Sequence, residues 1–365
     1  MNKYFIFASD KRAYLDTVNV VKELKSRNLK YFYLFSEELS TQYPHQGLNS
    51  FSYDTNIEFS NKSEFYKSIN INLPFKPDIV ILTCESWQPQ QSIIAEFKQK
   101  GSIISCIENS VWVVGTIKSR LEIISRFKYP TNCIDIFFEN SQWSLDTKKI
   151  CGWYDFKSVM VGNPKYDHIT QKSTDQDNIL VFGTMEKEAK LKIYKILNNL
   201  IQTKYKIYYR PHPGEISTNP NLKIKGVEVI LNESKIPEIA SKCDYHLGNL
   251  GASTYYSIIF DKTFISTDND VRLEDLDIDF FKGNEFNFWA PIINVNSWEE
   301  FTSKIGVERI EILKSRLATL KENIILYDEN LEFLKMPKSP LDYKLFDNFN
   351  DRKASNRIVN YLEQL

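Results

Sequence analysis

Short apolar runs alternate with stretches whose apolar residues recur at helical spacing, and the alternation covers most of the chain. Tyr4–Ala8, Tyr31–Phe35, Asp78–Thr83, Ser102–Ile107, Ile134–Phe138 and Ser158–Val161 read as strands. Asp16–Arg27, with Val20, Val21 and Leu24 on one face, and Ser92–Lys100 read as helices between them. The strands lack period-two alternation, so both faces of their sheet are expected to be covered, which is the mark of a parallel sheet. A polar stretch, Thr170–Asn178, interrupts the pattern and predicts a linker at 171–178.

After that stretch the pattern restarts. Strands are predicted at Ile179–Phe182, Tyr205–Tyr209, Val227–Leu231, Asp244–Leu247 and Thr263–Ser266. Helices are predicted at Glu186–Gln202, Ile236–Lys242 and Ser253–Phe260. An irregular Phe- and Asp-rich stretch follows, then helices near Val307–Leu326 and Asp351–Leu365. The fold class expected is α/β: two Rossmann-like doubly wound domains, 1–170 and 179–345, with a C-terminal helix at 346–365 crossing back to the first. Two such domains are expected to face a central cleft that holds the ligand.

Length agrees with two domains, since 365 residues exceed what one hydrophobic core usually serves. The 46 basic and 47 acidic side chains give a net charge of −1, without the basic footprint of a nucleic-acid binder. The five cysteines form no C-x-x-C pair, which argues against zinc and for a reducing compartment. The apolar N-terminal run is too short for a signal segment, and no window reaches the ~18 apolar residues of a membrane span. A cytoplasmic protein is expected.

Two loops carry the sharpest chemistry. Tyr208-Tyr209-Arg210-Pro211-His212-Pro213-Gly214-Glu215 leaves a predicted strand, and its prolines stiffen the backbone around the histidine. Arg210 offers a planar fork of donors for phosphate oxygens, and His212 a further donor. A rigid turn with a surface arginine is the plainer reading of the same residues. The second loop, Leu247-Gly248-Asn249-Leu250-Gly251-Ala252-Ser253-Thr254, opens a helix. Gly251 permits close backbone approach, and Ser253 and Thr254 either cap the helix or bind an anion. The two loops are expected to leave neighbouring strands of one sheet at the same edge.

This half of the chain resembles the donor-binding half of GT-B glycosyltransferases that build bacterial capsule, lipopolysaccharide and teichoic acid. His212-Pro213 and Ser253-Thr254 are similar to the His-Pro and Ser/Thr motifs with which CMP-dependent sialyl- and Kdo-transferases hold the nucleotide phosphate. Arg210-Pro211-His212-Pro213 is similar to the Arg-x-His-Pro of teichoic-acid glycerophosphotransferases. Val161-Gly162-Asn163-Pro164-Lys165-Tyr166-Asp167 resembles the Gly-Asn-Pro-x-x-Asp closing the first domain of such enzymes, and Gly183-Thr184 a turn facing the donor. The chain departs from the pattern in lacking an acidic-acidic-Gly motif. It also has only Val114-Gly115-Thr116 where the teichoic-acid enzymes carry Trp-His-Gly-Thr.

The resemblance implies transfer of a sugar from a nucleotide donor, favoured as a CMP-linked acid sugar, to a glycan or lipid-linked glycan acceptor. The enzyme would need no metal or other cofactor, and its acceptor allows peripheral contact with the inner membrane. Direct displacement requires a base for the acceptor hydroxyl. The candidates are Glu108, Glu85 and Asp10, which end predicted strands, and each also sits where a helix cap belongs. Alternatives are a CDP-polyol phosphotransferase and a GT-B-like binding protein without a base.

Overall fold

The computed structural model describes residues 2–8, 11–36, 49–51, 73–83, 88–108, 134–150, 157–174, 176–184, 187–249, 254–267, 324–342, 344 and 347–365. The described residues divide into two compact units. One runs from the start of the chain to His168 and includes Asp347–Leu365; the other runs from Ile169 into the 340s.

The first unit holds seven parallel strands among the described residues. These are β1 (Lys3–Ala8), β2 (Lys30–Ser36), β3 (Asn49–Phe51), β4 (Ile79–Thr83), β5 (Ile103–Ile107), β6 (Ile136–Glu139) and β7 (Lys157–Met160), in the order β3-β2-β1-β4-β5-β6-β7. Strands β1 and β4 are buried almost throughout, as their unbroken apolar runs require. Tyr4, Ile6, Ile79, Ile81 and Phe138 pack against Ala13, Tyr14, Val20 and Leu24 of α1 (Lys11–Ser26). The alternate residues turn to the opposite face, where Phe5 meets Phe97 of α2 (Gln88–Gln99) with ring centroids 5.1 Å apart. Helix α1 begins five residues before the expected Asp16, because Ala13 and Tyr14 continue the buried stripe. A further helix, α3 (Gln142–Ile150), follows β6.

The second unit repeats the design. Its strands are β8 (Asn178–Phe182), β9 (Lys206–Arg210), β10 (Glu228–Val229), β11 (Tyr245–Gly248), β12 (Thr263–Ser266) and β13 (Ile325–Leu326). They run parallel in the order β10-β9-β8-β11-β12-β13. Helix α4 (Lys187–Leu200) covers one face through Ile193, Ile196, Leu197 and Leu200. Short helices α5 (Pro213–Thr218), α6 (Ile236–Lys242) and α7 (Thr254–Phe260) follow β9, β10 and β11. Ile325 and Leu326, expected at the end of a helix, instead form an edge strand paired with β12. The rest of that expected helix, 307–323, lies outside the described residues.

The last helix, α8 (Ala354–Leu362), belongs to the first unit, where Ile358, Val359 and Leu362 join the core against α1. The Gly-Asn-Pro-x-x-Asp segment receives it. Lys353 at the start of α8 makes no side-chain cap, and Asp167 supplies one by accepting the N–H groups of Ala354 (3.2 Å) and Ser355 (2.6 Å). Arg357 donates through Nε to the Val161 carbonyl at 2.7 Å. Asp167→Ala is therefore expected to cost about 1–2 kcal/mol, the worth of a lost helix cap. A urea midpoint equal to that of the parent would refute the capping role.

Among the described residues, no helix is long and apolar enough to cross a membrane.

Candidate functional site

In each sheet the strand order reverses once, between β1 and β4 and between β8 and β11. In open α/β sheets, ligands bind beyond the carboxyl ends of the strands at such a reversal. In the second unit Phe182 lies beside Arg210, and Gly248 beside Ser266, so four strands end at one level. The Arg-His turn leaves β9, the Gly-Thr turn leaves β8, and the Gly-rich loop leaves β11. Strands β9 and β11 are not neighbours as expected; both pair with β8, which stands between them. The two motifs are thus about 10 Å apart at their strands, two inter-strand spacings, with Gly183-Thr184 in the middle.

The Arg-Pro-His-Pro turn is held from several sides. His212 has φ −60° and ψ 145°, the extended conformation its flanking prolines favour, and is the N-cap of α5. Its Nδ1 accepts the Gly214 N–H at 3.2 Å. That bond places the ring proton on Nε2, so the exposed imidazole presents a donor. Gly183 donates its N–H to the Arg210 carbonyl at 2.8 Å. A Cβ on Gly183 would lie 2.5 Å from Tyr209 Oη and 2.9 Å from the His212 nitrogen, so glycine is required by close approach.

Arg210 is 7% exposed, and its charge acts on Tyr256, whose ring stacks on Phe182 at 5.9 Å. Pro213 occupies the first turn of α5 and is exposed. Thr184 is half-buried, and Thr254 is fully buried at the start of α7. Gly251 and Ser253 lie outside the described residues. Past the end of β11, Thr267 donates to Asn249 Oδ1 at 2.8 Å, and Lys192 donates to the Thr267 carbonyl at 2.6 Å. His246 serves the core: Nε2 donates to the Ala240 carbonyl at 3.0 Å, and Nδ1 meets Ser257 Oγ at 2.9 Å. Burial pushes its pKa down to about 3, so it stays neutral.

Glu215 is 3% exposed and takes three donors: Tyr194 Oη at 2.7 Å, Tyr209 Oη at 2.8 Å and Lys190 Nζ at 3.0 Å. Burial by itself would raise its pKa, but the bonds from Tyr194, Tyr209 and Lys190 outweigh that and hold it below the usual range. Tyr194 is pushed up to about 12, by burial first and by the Glu215 carboxylate second.

In the first unit, Asp10 and Glu85 lie outside the described residues. Glu108 follows β5, is 1% exposed, and accepts the Asn140 N–H at 3.0 Å through Oε2. The bond ties the ends of β5 and β6 together and fixes one carboxylate oxygen. Two more carboxylates were not anticipated. Asp16 is buried on α1 with Oδ2 3.4 Å from Thr83 Oγ1 at the end of β4, and Glu139 is buried at the end of β6. The signal for Asp16 was its position, three residues after Ala13 and four before Val20 on the apolar face. Among the described residues, no three His, Cys, Asp or Glu side chains are grouped to hold a metal ion.

No family model matches this chain, and no curated protein matches it in sequence. Solved structures do match it in shape. UDP-GlcNAc 2-epimerase from Methanocaldococcus jannaschii superposes with a TM-score of 0.61 at 12% identity, covering 100% of both chains. The chain has the GT-B fold. The epimerase from Neisseria meningitidis, solved with UDP-GlcNAc bound, matches with a TM-score of 0.56 at 14% identity, again over 100% of both chains. A glycotransferase of kitacinnamycin matches with a TM-score of 0.50 at 10% identity, over 87% of this chain and 95% of its own. GT-B units of this kind are Rossmann-like, and both sheets here conform in strand order and in parallel direction.

Proposed function

We propose that this protein is a glycosyltransferase that takes a sugar from a nucleotide donor, whose phosphate sits against the Arg210-Pro211-His212 turn. The observation that carries the reading is the His212 imidazole, exposed at the carboxyl edge of the sheet with its proton directed to Nε2 by the Gly214 N–H. A fixed donor of this kind suits a phosphate oxygen on which charge grows as the glycosidic bond breaks. Arg210 adds positive charge at the base of the same turn. A base removes the proton from the acceptor hydroxyl, its oxygen bonds to the anomeric carbon, and the electron pair of the old bond leaves with the nucleotide phosphate. We assign the base to Glu108, whose carboxylate is oriented by the Asn140 N–H. The donor favoured by His212-Pro213 and Ser253-Thr254 is a CMP-linked acid sugar, and the acceptor a surface glycan or its lipid-linked form. We assign no metal to the reaction.

A second reading is change of configuration within a UDP-sugar. It is favoured by the whole-chain likeness to UDP-GlcNAc 2-epimerases, one of them bound to UDP-GlcNAc. Product analysis separates the two, since transfer releases free nucleotide and epimerisation leaves it attached to an altered sugar. Calorimetric titration with CMP, CDP and UDP tests both at once. His212→Asn keeps the helix cap through its Oδ1 but lacks the Nε2 donor, and should weaken nucleotide binding about tenfold, the worth of one charge-assisted hydrogen bond. Failure of all three nucleotides to bind the parent protein would dispose of both readings.

A further inference from the structure

Helix α5 is only six residues long, far below the length at which a helix is stable alone, so its geometry must be imposed from outside. It is imposed through Glu215. This residue is third in the helix that His212 caps, the place from which a glutamate ordinarily reaches back to the N-cap backbone. Here the side chain turns into the unit and is taken by Lys190 and Tyr194 of α4 and by Tyr209 of β9. Its own N–H meanwhile donates to the His212 carbonyl at 2.8 Å. Tyr209 Oη, bonded to Glu215, also fills the space over Gly183 where a side chain would stand. One carboxylate therefore joins helix α4, strand β9, the Gly183 turn and the first turn of α5.

We infer that Glu215 is a positioning residue: by anchoring α5 it holds the His212 imidazole in the orientation and tautomer that present Nε2–H to a nucleotide phosphate. The phosphate part of this inference rests on the function proposed above; the anchoring of His212 does not. The side chain remains charged because its three donors outweigh the effect of burial. Loss of the charge in Glu215→Gln leaves Lys190 unpaired and loosens the anchor while nearly preserving volume. Tyr209→Phe removes one donor and serves as the milder variant if the glutamine chain does not fold.

The test has two readouts, each made where melting curves show the variant folded. Nitrogen-15 spectra of the imidazoles should show His212 in the parent as the Nε2–H tautomer with Nδ1 hydrogen-bonded, and should lose that signature in either variant. Binding of CMP and UDP should weaken about tenfold, while cytidine and uridine, which lack phosphate, bind as to the parent. Adding His212→Asn to Glu215→Gln should weaken nucleotides no further than His212→Asn alone. An unchanged His212 spectrum, or equal losses for nucleosides and nucleotides, would overturn the inference. A parent that binds no nucleotide would defeat the proposed function, with the imidazole spectra still deciding the role of Glu215.

Discussion

Gly183→Ala is expected to destabilise the second unit by about 1–3 kcal/mol, the usual cost of forcing an extra carbon into a packed site. It should also abolish measurable nucleotide binding. The added Cβ would lie 2.5 Å from Tyr209 Oη and 2.9 Å from the backbone nitrogen of His212. Neither neighbour yields easily. Tyr209 is fully buried and bonded to Glu215, and the His212 nitrogen lies in a turn stiffened by a proline on each side. Relief requires the turn to move away from β8, which breaks the 2.8 Å bond from Gly183 N to the Arg210 carbonyl. Chemical denaturation gives the stability change, and calorimetry with CMP and UDP gives the binding change. A variant that binds as tightly as the parent would mean the turn does not touch the nucleotide.

Gly162→Ala is expected to cost more, about 3 kcal/mol, from a left-handed backbone and a collision together. Gly162 has φ +81°, and a Cβ there would lie 2.8 Å from Asp347 Oδ1 and 3.3 Å from Arg357 Nη2. Asp347 is not a loose side chain that could swing aside. Its carboxylate accepts the N–H groups of Phe349 at 2.9 Å, Asn350 at 3.2 Å and Asn163 at 3.3 Å, and so fixes the chain entering α8. Arg357 is held as firmly, over the Phe349 ring at 3.8 Å and against Asp351 at 2.8 Å. Displacing either loosens the seat of α8 on the first unit. Early proteolytic cleavage near residue 350 should accompany a lower denaturation midpoint. Parent-like resistance to protease would show that the helix is seated by its apolar face alone.

The two glycines show where sequence reasoning reached and where it stopped. Gly183 and Gly162 were both singled out inside short motifs, yet the reason each must be glycine lies in residues far along the chain, Tyr209 and His212 for one, Asp347 and Arg357 for the other. Ile325 and Leu326 read as a helix end in sequence, since two apolar residues by themselves carry no period. Their pairing with β12 is what makes them a strand. Glu215 ends the Arg-Pro-His-Pro-Gly-Glu motif, and its sequence position carries no sign of a role. A glutamate after Pro-Gly looks like any exposed helix start until α4 brings Lys190 and Tyr194 to it.

What the chain's pattern determined by itself was the architecture. Unbroken apolar strands separated by one-sided helices can bury their surfaces only as parallel sheets covered on both faces, and the stiff His-Pro turn follows from proline sterics wherever it occurs. Tertiary structure alone decided strand order, because pairing partners are chosen by long-range packing rather than by local preference. It placed β8 between the two candidate loops, caught Glu215 between α4 and β9, and brought α8 under the cap of Asp167. Each of those outcomes depends on residues distant in sequence meeting in space, which no local period or propensity encodes.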